Sequence, residues 1–171
     1  MPEANLPNIR LLCLDVDGVL TDGSIHMDDH GVETKRFHVR DGAGIRMWQS
    51  LGHQVAIITG RSSMAVQHRA NELGIRIVVQ KCRDKAAAFK QIVADLHIDA
   101  AQAAMIGDDL PDLPLLRLCG YPIAVADAAK EVRDVADFIT ARPGGTGAVR
   151  EAIDHLLTAR GQYEDAMALW S

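Results

Sequence analysis

The sequence predicts an α/β domain built on a doubly wound, mostly parallel sheet, and three observations carry that prediction. Short runs of strand length alternate with helix-length segments along the whole chain, the pattern of β-α-β units joined by right-handed crossovers. Three of the runs, Leu11-Leu12-Cys13-Leu14, Val55-Ala56-Ile57-Ile58 and Ala103-Ala104-Met105-Ile106, are apolar throughout, as strands covered on both faces must be. Each then stops at polar or glycine residues, Asp15-Val16-Asp17-Gly18, Thr59-Gly60-Arg61 and Gly107-Asp108-Asp109. These fall at strand carboxyl ends, the edge where open α/β sheets bind ligands.

Taken in order, strand 11–14 leads into two carboxylates spaced i, i+2. On a strand that spacing points both to one side. Like charges so close require a cation, a shared proton or a departure from strand geometry. Asp15 and Asp17 are therefore candidate metal-site residues, although Asp17-Gly18 also reads as a plain turn. Two short segments, 24–27 and 34–39, flank the tip Asp28-Asp29-His30-Gly31 and read as a β-hairpin placed to overhang the acids. Asp41 reads as the N-cap of a helix that is apolar at 45, 47, 48 and 51 and stops at Gly52.

The alternation continues with strand 53–58, helix 64–73 closed by Gly74, strand 76–79, and a helix from Lys85 to about His97. After strand 103–106, Pro111 and Pro114 suit the opening of a short helix reaching Cys119. Strand 121–125, helix 128–136, strand 138–139 and helix 147–160 follow. One domain spanning 1–171 is expected, with 1–8 and 161–171 as flexible ends. Met167, Leu169 and Trp170 are apolar for a free tail, which either folds back on its own domain or docks on a neighbouring subunit.

Composition narrows the function. A formal charge of −5, from 18 Lys+Arg against 23 Asp+Glu, provides no basic field for nucleic acid. An anionic substrate must be held by local positive groups. Three cysteines without a C-x-x-C pair point to neither a zinc site nor a disulfide framework. The start of the sequence has no basic region followed by an apolar stretch, and no apolar run nears the roughly 20 residues of a membrane span. A cytoplasmic protein without nucleic-acid or membrane partners is expected.

A parallel sheet brings its strand carboxyl ends to one edge, so Asp15, Asp17, Thr59, Gly60, Arg61, Lys85, Asp108 and Asp109 converge there. Singly, Thr59-Gly60 reads as a turn, Lys85 as a solvated helix start and Gly107-Asp108-Asp109 as a helix cap. Jointly, carboxylates, a hydroxyl, free backbone N–H groups and a lysine make a phosphoryl-transfer site. A carboxylate can serve as nucleophile when the phosphate charge is neutralised. Magnesium on Asp15 and Asp108 does part of this, with Thr59 and Lys85 holding the remaining phosphoryl oxygens.

Asp15-Val16-Asp17-Gly18-Val19, Thr59-Gly60-Arg61, Lys85 and Gly107-Asp108-Asp109-Leu110-Pro111-Asp112 resemble the four ordered motifs of the haloacid dehalogenase superfamily of phosphatases, over about residues 9–160. The resemblance implies a Rossmann-like fold with Asp15 as nucleophile and Asp17 as general acid and base. It implies a magnesium ion held by Asp15, Asp108 and the Asp17 carbonyl, its water shell oriented by Asp112 or Asp109. Closer still, 37–46, 107–114 and 144–151 resemble the 3-deoxy-D-manno-octulosonate 8-phosphate phosphatase family of lipopolysaccharide precursor synthesis. That family lacks a cap domain, and only a hairpin fits between Gly18 and Asp41.

By the same resemblance, substrate contacts fall on His38, Val39, Arg40, Asp41 and Gly42, with His38 standing where asparagine is common. Further contacts fall on Arg46, Arg61 and Arg69, joined by Asp17, Gly60 and Lys85. The assembly implied is a homotetramer in which a neighbour's hairpin and C-terminal tail help close the site. Arginine forks pair bidentately with carboxylates, so Arg61 and Arg69 suit a 2-keto acid sugar. Arg69 also reads as a surface charge. Relatives acting on nine-carbon 2-keto acid 9-phosphates are a sister reading, but they carry an acid where Arg61 stands. A signalling receiver domain is a reading from another class, but its phospho-acceptor follows the third strand, and here strand 76–79 runs into Gln80-Lys81.

Overall fold

A computed structural model describes residue 6 and residues 8–170. Of the expected flexible start, 1–5 and 7 lie outside the described residues, as does Ser171. The elements in chain order are β1 (Leu11–Leu14), β2 (His26–Met27), β3 (Glu33–Thr34), α1 (Val39–Ser50), β4 (Gln54–Ile58), α2 (Met64–Glu72) and β5 (Ile77–Val79). They continue with α3 (Lys85–Asp95), β6 (Ala103–Gly107), α4 (Leu113–Leu116), β7 (Tyr121–Ala124), α5 (Lys130–Val135), β8 (Phe138–Ile139), α6 (Ala148–Ala159) and α7 (Tyr163–Met167).

Six strands form one sheet in the order β5-β4-β1-β6-β7-β8, and every pairing in it is parallel. The chain runs outward from β1 to β5 and then returns to continue from β6, so β1 stands at the switch point where such sheets open a ligand crevice. Leu11 lies opposite Gln54 on β4 and Ala103 on β6, and all four β1 side chains are fully buried. The two faces are covered by α1 packed on α6 and by α4 packed on both α3 and α5. Trp48 of α1, fully buried, donates its indole N–H to the Gln54 carbonyl at 3.0 Å. Among the described residues no helix is long and apolar enough to cross a membrane.

Three boundaries differ from expectation. α1 is capped by His38, whose Nδ1 accepts from Arg40 N at 3.3 Å, rather than by Asp41. Asp41 is instead buried inside α1 and accepts from Arg150 N at 2.8 Å, serving the first turn of α6. The helix expected up to Cys119 splits into a 3-10 turn, Leu110–Asp112, and the short α4, because the Asp112 side chain folds back onto backbone N–H groups. Part of the segment expected as a flexible end is helical: α7 buries Ala166 against α1 and α6, while Trp170 remains 58% exposed.

Candidate active site

Asp15 N still donates to the β6 carbonyl of Ile106 at 3.2 Å, but the chain then leaves strand geometry. The Val16 carbonyl gathers the N–H groups of Val19, Leu20 and Thr21 in a tight loop. Gly18 makes that loop possible. Its φ is +93°, and a Cβ there would stand 2.0 Å from Asp108 Oδ2, a position open only to glycine. Gly144 presses on the same loop from outside, where a Cβ would meet the Gly18 carbonyl at 1.7 Å. The departure from the strand separates the two acids: Asp15 turns to Lys85, Asp108 and Asp112, and Asp17 turns to Lys35 and Arg61.

On the Asp15 side, carboxylate oxygens of Asp15, Asp108 and Asp112 lie within 4.8 Å of one another. Lys85 opens α3 behind Asp84, whose side chain caps the helix by accepting from Ala87 N at 2.9 Å. The Lys85 ammonium donates to Asp112 Oδ1 at 2.6 Å and stands 3.0 Å from Asp15 Oδ1, where it forms an ion pair without an aligned hydrogen bond. Asp112 Oδ2 accepts from Asp108 N at 3.0 Å and Asp109 N at 3.4 Å. Asp112 is thus the buried partner, while Asp109 is exposed at the rim.

Burial, then the Asp112 charge, pushes Asp15 up to about 6 against the opposing pull of Lys85. Burial, with Asp112, Asp15 and Asp109 adding to it, pushes Asp108 up to about 8. Burial alone would depress Lys85, but Asp15 and Asp112 hold it above the ordinary lysine value. Three carboxylates against one ammonium leave an excess of negative charge, and Asp108 Oδ1 is buried without a hydrogen-bond partner. This hard-oxygen donor set, short of positive charge, fits a magnesium ion.

Asp15, Lys85 and Asp108 line one cleft of about 700 Å³, together with Asp17, Thr59, Gly60 and Arg61, while Asp112 is buried beside them. Thr59 is held at the end of β4 by donating its N–H to the Val79 carbonyl at 2.9 Å and accepting from Cys82 N at 3.0 Å.

The cleft does not include His38, Val39, Arg40, Asp41, Gly42, Arg46 or Arg69. Those positions gather around the base of the hairpin and the start of α1. Arg69 crowds Gly42, stands 5.8 Å from the Phe37 ring and pairs with Glu72 at 2.7 Å, while Arg46 donates to the Glu72 carbonyl at 2.9 Å. Arg40 lines a separate hollow with Arg142 and Arg150.

Sequence reasoning missed two residues of the hairpin. Lys35 is buried against Asp17 Oδ1 and Glu33 Oε1, and Arg61 Nη2 donates to Glu33 Oε2 at 2.7 Å. The hairpin therefore overhangs the site of its own chain. The available signal was the i, i+2 spacing of Glu33 and Lys35, which on an extended segment puts both on one side.

Residues 75–153 match the haloacid dehalogenase-like hydrolase family. The chain is 46% identical over 163 residues to the 3-deoxy-D-manno-octulosonate 8-phosphate phosphatase KdsC of Escherichia coli K12, covering 95% of this chain and 87% of that one. The Yersinia pestis enzyme of the same name is also 46% identical, over 162 residues and the same shares. Among solved structures, the 3-deoxy-D-manno-octulosonate 8-phosphate phosphatase of Moraxella catarrhalis, in complex with magnesium, phosphate and KDO, superposes with a TM-score of 0.96. It is 40% identical, and the match covers 99% of this chain and 98% of that one. The cobalt-bound enzyme of Haemophilus influenzae gives 0.90 at 42% identity and 93% of each chain.

Proposed function

The chain belongs to the 3-deoxy-D-manno-octulosonate 8-phosphate phosphatases, within the haloacid dehalogenase-like hydrolases, and from that premise we propose that it hydrolyses this eight-carbon sugar phosphate to the free sugar acid and phosphate. The reaction is placed in lipopolysaccharide precursor synthesis in the cytoplasm. One observation carries the reading: Asp15, Asp108 and Asp112 converge within 4.8 Å at the end of β1, with Lys85 pairing two of them. Asp15, Asp108 and the Asp17 carbonyl would hold a magnesium ion, which would neutralise the phosphoryl charge. Asp15 attacks phosphorus to form an aspartyl phosphate as the P–O bond to the sugar breaks. Asp17 donates a proton to the leaving alkoxide and then takes one from the water that cleaves the acyl phosphate. Thr59, the Gly60 backbone and Lys85 hold phosphoryl oxygens, and Arg61 takes the substrate carboxylate. A receiver-type reading lacks its phospho-acceptor, since β5 is followed by Gln80.

The purified protein is expected to release phosphate from the eight-carbon substrate with magnesium and to stop on addition of EDTA. It should prefer that substrate over a nine-carbon 2-keto acid 9-phosphate by roughly tenfold or more in kcat/KM, the scale of discrimination a shaped pocket provides. Equal or reversed preference would transfer the assignment to the nine-carbon acid.

The assembly proposed is a homotetramer in which the outer, apolar part of the hairpin, the 38–42 segment with Arg46 and Arg69, and the C-terminal tail complete a neighbour's site, while Glu33 and Lys35 stay on the chain's own site. Two observations support it. The seven basic, backbone and capping positions do not line their own cleft, and the hairpin exposes Ile25, Met27 and Val32. Deleting residues 168–171 spares α7, and it is expected to leave the tetramer intact while lowering kcat/KM on the order of tenfold, as loss of a closing segment does. A truncated protein as active as the full chain in steady-state assays would exclude the tail from the site.

A further inference from the structure

The ion pairs between the hairpin and the site form a closed ring. Lys35, whose side chain is 1% exposed, touches Asp17 Oδ1 and Glu33 Oε1. Arg61 donates from Nη2 to Glu33 Oε2 at 2.7 Å, and its Nε stands 3.8 Å from Asp17 Oδ2. Carboxylate and cation thus alternate through Asp17, Lys35, Glu33 and Arg61, tying β3 to the loop after β1 and to the loop after β4. Lysine and arginine lose much rotamer freedom when ordered, and here both are ordered by one carboxylate before any substrate arrives. Glu33 does this without hiding the guanidinium, since the Arg61 side chain stays 43% exposed on the cleft.

We infer that Glu33 is a positioning residue, which by gripping Lys35 and Arg61 from the hairpin steadies Asp17 and presents the open edge of the Arg61 fork to a substrate carboxylate. The inference rests on the proposed reading of Arg61 as the carboxylate site. A glutamine at 33 keeps the shape but cannot balance two cations. Glu33 lies on a two-residue strand outside the hydrophobic core, so the substitution leaves the fold in place.

The test compares wild type, Glu33→Gln, Arg61→Ala and the double variant on the eight-carbon acid phosphate and on p-nitrophenyl phosphate, which has no carboxylate. Glu33→Gln is expected to raise KM for the acid substrate about tenfold and for p-nitrophenyl phosphate much less. On the acid substrate the double variant should be no worse than Arg61→Ala alone, because residues acting as a unit are not additive. Unchanged or lowered KM in Glu33→Gln overturns the inference, since the carboxylate would then be idle or would compete with substrate for Arg61. Losses that multiply in the double variant overturn it as well. If Arg61→Ala loses equally on both substrates, the reading of Arg61 itself has failed; if its loss is selective and only the coupling is missing, the reading stands without Glu33.

Discussion

Asp15→Asn is expected to lower kcat by more than a hundredfold while leaving the protein folded. An amide cannot form the acyl phosphate, and loss of an activated nucleophile removes several decades of rate. The fold should tolerate the change because the replacement is nearly isosteric and relieves an unfavourable charge. Burial and the Asp112 carboxylate already push Asp15 up to about 6, so in the absence of metal the site disfavours its charge relative to water and loses little when the side chain is made neutral. The loop that carries it is held by the Val16 carbonyl and by Gly18, not by the Asp15 side chain. Steady-state phosphate release and thermal melts of the two proteins check both halves. More than about 1% of wild-type activity in a correctly folded variant would remove Asp15 from the nucleophile role.

The acids of the site were legible in the sequence for a definite reason. A strand buried on both faces is apolar throughout, so the abrupt change from Leu14 to Asp15, from Ile58 to Thr59, and from Ile106-Gly107 to Asp108 marks three strand ends without any structure. A parallel topology then forces them together, and the structure places all three, with Lys85, on one cleft. What was not legible depends on long-range partners. Asp41 looks like an N-cap to its own helix, yet it serves α6 across the fold. Asp109 and Asp112 are alike in the sequence until the 3-10 turn directs one inward onto Lys85 and leaves the other exposed. Arg61 and Arg69 suit a carboxylate equally in the sequence, yet Arg61 lines the cleft while Arg69 turns to Phe37 and Glu72. Glu33 lies on the two-residue β3 and Lys35 just beyond it; their i, i+2 spacing puts both on one side, but what they meet there is set by how the hairpin folds over the sheet edge.

Lys85→Met should produce the second large effect, and it should act on stability as well as on turnover. The side chain is 4% exposed and carries the ammonium that touches both Asp15 and Asp112. Methionine fills a similar volume but leaves three converging carboxylates without that charge. Removing one partner of a buried pair typically costs about 3–5 kcal/mol, softened here because Asp15, already raised to about 6 against the pull of Lys85, can take up a proton once that pull is gone. The metal-free variant should therefore melt several degrees below wild type. Magnesium should narrow the gap, because a divalent cation that binds only the folded site supplies the missing charge and stabilises by mass action. Activity should not recover in the same way. A phosphoryl oxygen that loses a preorganised cation loses transition-state stabilisation of about a hundredfold to a thousandfold in rate, and magnesium occupies a different position. Melts in EDTA and in saturating magnesium, set beside kcat/KM, separate the two roles. A variant that melts like wild type in EDTA would mean that the carboxylates do not rely on Lys85. One that keeps activity within tenfold of wild type would place Lys85 outside the phosphoryl contacts and restrict it to holding Asp112.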